Sequence, residues 1–105
     1  TQEKSVVFTA TWSQKMLEDL FNVIEDRNEN PQPDSYTAKL IAAGEDEILK
    51  KVGEEAMEVI LAAKGQGDQR LIEEIADLYY HSLVLLSSRN LNFSQVLDEL
   101  ARRHR

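Results

Sequence analysis

Apolar residues recur along this chain at spacings of three and four, the period of α-helices that present one face to a core. Met16, Leu17, Leu20, Phe21, Val23 and Ile24 form the first such stripe, and Ser13 stands where an N-cap belongs. The stripe ends near Arg27, and Asn28 to Pro33 reads as a polar, proline-containing loop. A short helix is predicted through Tyr36, Leu40 and Ile41, capped by Asp34 or Ser35 and stopped by Gly44. A third helix is expected from about Glu45 to Lys64. In the break Gly65-Gln66-Gly67-Asp68, Gly65 suits a left-handed C-terminal position and Asp68 the next N-cap. A fourth helix is expected from about Gln69 to Arg89, and Ser94 starts a fifth, from Gln95 to about Arg103, with Phe93 placed to staple it. No stretch alternates with period two for long enough to build a sheet, although Val6 to Thr11 is a candidate for a short extended arm. The predicted fold class is all-α: a bundle of about four to five helices, with one domain over residues 13–105 behind an N-terminal arm or linker remnant, residues 1–12.

The two long helices carry an anomaly. The third has an apolar face of Ile48, Val52, Ala56, Val59 and Ala63, with Glu55 at the edge of that face and Glu58 one turn further along. The fourth is apolar on most sides between Ile75 and Leu86, where Asp77 is its only formally charged residue, and a helix of that kind is a buried one. Yet Glu74, Asp77 and His81 fall on one of its stripes. Carboxylates on a buried helix cost several kcal/mol each unless they are paired or bound to metal.

A short loop makes the two helices antiparallel neighbours. Residues equally far from Gln66 then stand at the same height, which sets Glu55 opposite Asp77 and Glu58 opposite Glu74. The four acids then sit at matching heights, two per helix, provided the inner faces meet, and Lys50 and Lys51 lie one to two turns away. Such a set repels itself strongly in a poorly screened site. Ligands that are all oxygen favour a hard cation, Mg²⁺ with Mn²⁺ able to substitute, over zinc.

Composition narrows the picture. Nineteen acids against twelve bases give a net charge of -7, which disfavours nucleic acid or an anionic membrane as partner. The chain has no cysteine, excluding thiolate metal sites and cysteine nucleophiles. The longest uncharged stretch, Leu78 to Ser88, is far shorter than the roughly 20 residues that span a bilayer, and residues 1–12 make a poor signal peptide. A cytoplasmic setting is expected. Cover for the fourth helix exceeds what the other helices supply, so a symmetric homodimer is expected too.

Each feature also has an ordinary reading. Glu-x-x-Glu is common on solvated helix faces, and only the burial of the fourth helix and the matched heights raise it above that background. His81 lacks the Glu three residues before it that a di-iron bundle uses, and reads first as a hydrogen-bonded interior histidine. Tyr79 and Tyr80 read as core or interface residues. Lys39, Lys50, Lys51, Lys64, Arg102, Arg103 and Arg105 read as surface charges, although a phosphate-handling protein needs some of them.

Lys51-Val52-Gly53-Glu54-Glu55-Ala56-x-Glu58, followed by Glu73-Glu74-Ile75-Ala76-Asp77-Leu78-x-Tyr80-His81, resembles the phosphoribosyl-ATP pyrophosphohydrolase family. That family lies within the all-α, MazG-like nucleotide pyrophosphohydrolases, which are similar to dimeric dUTPases. Ser35 to Leu40 and the Arg-Arg-His ending extend the likeness, which covers about Leu17 to Arg105. The resemblance implies hydrolysis of phosphoribosyl-ATP to phosphoribosyl-AMP and pyrophosphate, the second step of histidine synthesis, with Mg²⁺ held by Glu55, Glu58, Glu74 and Asp77. Glu54, Glu55 and Glu58 are then the catalytic candidates, Glu54 as a further ligand or an aid to water activation. Lys39 and Lys51 are candidates for phosphate contact, and Tyr36, Thr37 and His81 for the substrate pocket. Family members are helical dimers, often fused behind a phosphoribosyl-AMP cyclohydrolase domain. Two other functions stay open: a related pyrophosphohydrolase acting on dCTP or dUTP, and a non-catalytic helical dimerisation module.

Overall fold

The computed structural model describes the backbone of residues 2–104 and the side chains of residues 15–104. Five helices follow one another with no strand among the described residues: α1 (Gln2–Glu29), α2 (Tyr36–Ala43), α3 (Glu45–Gly65), α4 (Asp68–Ser88) and α5 (Phe93–Arg103). The all-α reading holds, but several boundaries move. Ser13 lies inside α1, and the backbone from Val6 to Thr11 is helical rather than extended. No glycine or proline precedes Pro31, so nothing local stops the helix upstream of Ser13.

Ser35 does cap α2, its side chain accepting from Ala38 N at 3.1 Å, and Gly44 (φ +108°) ends it. At the α3–α4 turn the left-handed position belongs to Gly67 (φ +90°) rather than Gly65, which stays in α3. Asp68 is the first residue of α4 and makes no capping hydrogen bond; its charge in the first turn instead complements the helix dipole. The start of α5 comes two residues earlier than expected. Asn92 caps it, and Gln95 Oε1 accepts from Asn92 N at 2.9 Å, closing a capping box that Ser94 does not make.

Phe21 and Ile24 of α1, Leu40 of α2, Ile48 of α3, Leu83 and Val84 of α4 and Phe93 of α5 form one core cluster. The Phe21 and Phe93 rings sit 5.5 Å apart, the tilted contact that aromatic pairs favour. Polar links fasten the same end of the bundle: Asn28 Nδ2 donates to Ser87 at 3.4 Å, and Arg89 pairs with Glu45 at 3.1 Å. The α3–α4 contact is the most extensive in the molecule, as the short loop requires.

The apolar face predicted for α3 is rotated slightly, since Ala62 is buried and Ala63 is exposed. Burial of α4 is uneven. Leu83, Val84 and Ser87 are closed off, whereas Ile72 and Tyr79 are 60% and 62% exposed within the single chain.

Candidate active site

The acids gather on the half of the α3–α4 hairpin nearest its turn. There α3 brings Lys51, Glu54, Glu55 and Glu58, and α4 brings Glu74 and Asp77, to one open cleft of about 640 Å³. One carboxylate oxygen from each of Glu55, Glu74 and Asp77 lies within 4.8 Å of the other two. Glu74 is buried, Glu55 half-buried and Asp77 exposed. Glu58 lines the same cleft but stands outside this trio. Height matching anticipated the Glu55–Asp77 approach; it did not anticipate that Glu74 also meets Glu55.

The electrostatics show what this crowding costs. Burial pushes the Glu55 carboxyl pKa above its ordinary value, a hydrogen bond with Glu74 adds to the effect, and so does the nearby Asp77 charge, while His81 opposes it. A divalent cation relieves the same repulsion, and three convergent oxygen ligands suit a hard one. The residues present therefore fit such an ion.

Bases frame the cleft. Lys51 Nζ lies 3.5 Å from Glu54 and 3.9 Å from Glu55. Burial works to lower the Lys51 pKa, but Tyr36, Glu54 and Glu55 outweigh it and the ammonium is held above its ordinary value. Arg70, which the sequence reading passed over, donates to Glu73 at 2.5 Å and also to Glu74. Its spacing of four before Glu74 was the available signal, but such pairs are frequent on exposed helices. Lys39 is elsewhere: it borders a separate hollow with Pro31, Pro33 and Ala42.

Three of the anticipated pocket residues clamp α2 onto α4. His81 is buried, and its Nδ1 lies 2.8 Å from the Asp77 carbonyl oxygen. A carbonyl only accepts, so Nδ1 carries the hydrogen, and in the neutral ring the Tyr36 hydroxyl donates to Nε2 at 2.9 Å. The buried Thr37 hydroxyl bonds to that of Tyr80, whose pKa burial pushes up. His81 is thus the satisfied interior histidine that its surroundings suggested, and it also fixes the backbone of an acid in the trio.

The fold and the cleft define an all-α helical bundle whose antiparallel pair gathers carboxylates with the geometry of a possible cation site. Comparison of sequences makes the assignment specific. The chain belongs to the phosphoribosyl-ATP pyrophosphohydrolase family, whose profile matches residues 17–104. It is 52% identical over 87 residues to phosphoribosyl-ATP pyrophosphatase of Lactiplantibacillus plantarum, covering 83% of this chain and 82% of that protein. It is 49% identical over 88 residues to phosphoribosyl-ATP pyrophosphatase of Geotalea daltonii, covering 84% and 83% respectively. A histidine biosynthesis bifunctional protein, HisIE, of Gloeobacter violaceus is 48% identical over 89 residues, 85% of this chain, and the match spans only 40% of that longer protein.

Proposed function

We propose that this chain hydrolyses phosphoribosyl-ATP between its α and β phosphates, giving phosphoribosyl-AMP and pyrophosphate in histidine biosynthesis. The convergence of Glu55, Glu74 and Asp77 in an open cleft carries the reading, because this reaction needs charge neutralised on a polyanion and one water aligned. Family membership and the names of the relatives support the choice of substrate.

Glu55, Glu58, Glu74 and Asp77 would hold Mg²⁺ or Mn²⁺ in this reading. The ion, when bound, neutralises phosphate oxygens and lowers the pKa of a coordinated water. The chain's own residues supply the rest. Glu54 borders the cleft at its solvent side and orients the water; Lys51, charged and adjacent to Glu55, meets a phosphate. Tyr36 and His81 hold α2 against the hairpin, keeping Lys51 and the trio in register. Lys39 lines a separate hollow and is left out of the phosphate-binding set in this reading.

Residues 13–105 are proposed as the catalytic unit, acting in the cytoplasm beside or fused to a phosphoribosyl-AMP cyclohydrolase; no helix among the described residues is long and apolar enough to cross a membrane. A homodimer is proposed as well, because Met57, Ile60, Leu61 and Ile72 leave an apolar face exposed beside the cleft. Pyrophosphate release measured with Mg²⁺ on phosphoribosyl-ATP, dCTP and dUTP tests the assignment. Preference for phosphoribosyl-ATP is expected, and faster turnover of either deoxynucleotide would overturn it.

A further inference from the structure

We infer that Arg70 is the internal counter-ion of the acid cluster, and that it and a divalent cation compete for the Glu74 carboxylate. The inference rests on the reading above that the cluster holds such a cation.

Arg70 lies in the first turn of α4, one turn before Glu74, and reaches over the helix surface from solvent. Its side chain is 47% exposed, whereas that of Glu74 is 7% exposed. Nη2 donates to Oε1 of Glu74, and Nη1 donates to Oε1 of Glu73 at 2.5 Å. On its other side lie the Glu55 and Asp77 carboxylates, each with an oxygen within 4.8 Å of one of Glu74. The buried carboxylate is therefore stabilised by a guanidinium while two other acids crowd it. A carboxylate oxygen that carries a guanidinium hydrogen bond offers less negative charge to a metal ion, and the guanidinium itself repels a second cation at contact distance.

No other base among the described residues has this relation to the trio. Lys51 is 3.9 Å from Glu55, beyond hydrogen-bond reach, and leans toward the more exposed Glu54 at 3.5 Å. Arg70, by contrast, occupies a ligand oxygen directly. Glu73 gives it somewhere to stay: released from Glu74, the guanidinium keeps its contact with a 46%-exposed carboxylate on the same helix. Exchange then sacrifices one of two ion pairs, so the competition is modest in size. A partly exposed pair weakens cation binding by a few-fold rather than by orders of magnitude.

The test compares the full chain with Arg70→Gln and Arg70→Lys. Calorimetric titration with Mn²⁺ gives affinity, and thermal melting in EDTA and in Mn²⁺ gives the linked stability. Arg70→Gln is expected to bind Mn²⁺ roughly 3- to 10-fold more tightly than the parent. It should melt lower in EDTA yet gain more from added Mn²⁺. Arg70→Lys, which keeps the charge but loses the paired donors, should fall between the two; it decides the question if the glutamine variant melts below the assay temperature. Equal or weaker Mn²⁺ binding by the variants would mean that Arg70 merely orients Glu74, and overturns the competition while leaving the cation reading intact. Absence of Mn²⁺ binding by the parent chain overturns both.

Discussion

The α3–α4 hairpin has two halves that obey opposite rules. Its base, where α3 begins and α4 ends, is closed by Ile48, Leu83 and Val84 against Phe21, Ile24, Leu40 and Phe93. Its turn-side half holds Glu55, Glu58, Glu74 and Asp77 around an open cleft, with Met57, Ile60 and Ile72 left exposed. Apolar burial at the base holds the two helices in a fixed pairing, and the other half uses that rigidity to keep mutually repelling acids together. The site is tolerated because the scaffold is fastened elsewhere.

The largest test of this division strikes the base. Phe21 is fully buried, and Phe21→Ala should cost about 3–5 kcal/mol, a large part of the roughly 5–15 kcal/mol typical of such domains. Urea unfolding measures the loss, and activity per folded molecule should be preserved. A change below about 1 kcal/mol would show that the core is not seated where the packing places it.

An equally local change at the cleft should do the reverse. Asp77→Asn is expected to lower pyrophosphate release by about 100-fold or more, since it neutralises a ligand of the trio while the backbone carbonyl bonded to His81 remains. Its melting temperature in EDTA should hold or rise, because one repelling charge is gone. A marked fall would count against repulsion among these acids.

The smallest effect is one of pH. Glu55 keeps a proton in the folded chain at pH values where the unfolded chain has released it, because its folded pKa is raised. Its contribution to metal-free stability is thus fully present below the ordinary glutamate range and is lost as pH rises through the raised folded value. Melting temperature followed against pH in EDTA should show this decline, and Glu55→Gln should flatten it; an unchanged slope would detach Glu55 from the cluster.

Much of this was legible from spacing. Five helices, a cap at Asp34 or Ser35 and the Gly44 stop follow from periodicity and from residues with strong local preferences, and the structure selects Ser35. Expectations failed where local signals were ambiguous. Ser13 is a good cap but also an acceptable interior residue when no breaker precedes it, and α1 continues through it to Gln2. Gly65 and Gly67 both tolerate a left-handed backbone, and only the geometry of the turn selected Gly67. At the site, equal distance from the turn brought Glu55 to Asp77. The same reasoning could not supply the helix rotation that draws Glu74 to Glu55 and leaves Glu58 on the wall. Arg70 was hidden for a similar reason, since a base four residues from an acid means little until that acid is known to be buried.

By itself, the order of residues determined an all-α bundle, an antiparallel pair of long helices and four acids at neighbouring heights on that pair. Those features depend on periods and loop length, which are properties of a chain one segment at a time. Only the packed structure decided which three oxygens meet, which base leans on them, and that His81 and Tyr36 brace the acids from behind. Such choices turn on rotations and offsets between helices, set by how Phe21, Ile48, Val84 and Phe93 fill the common core.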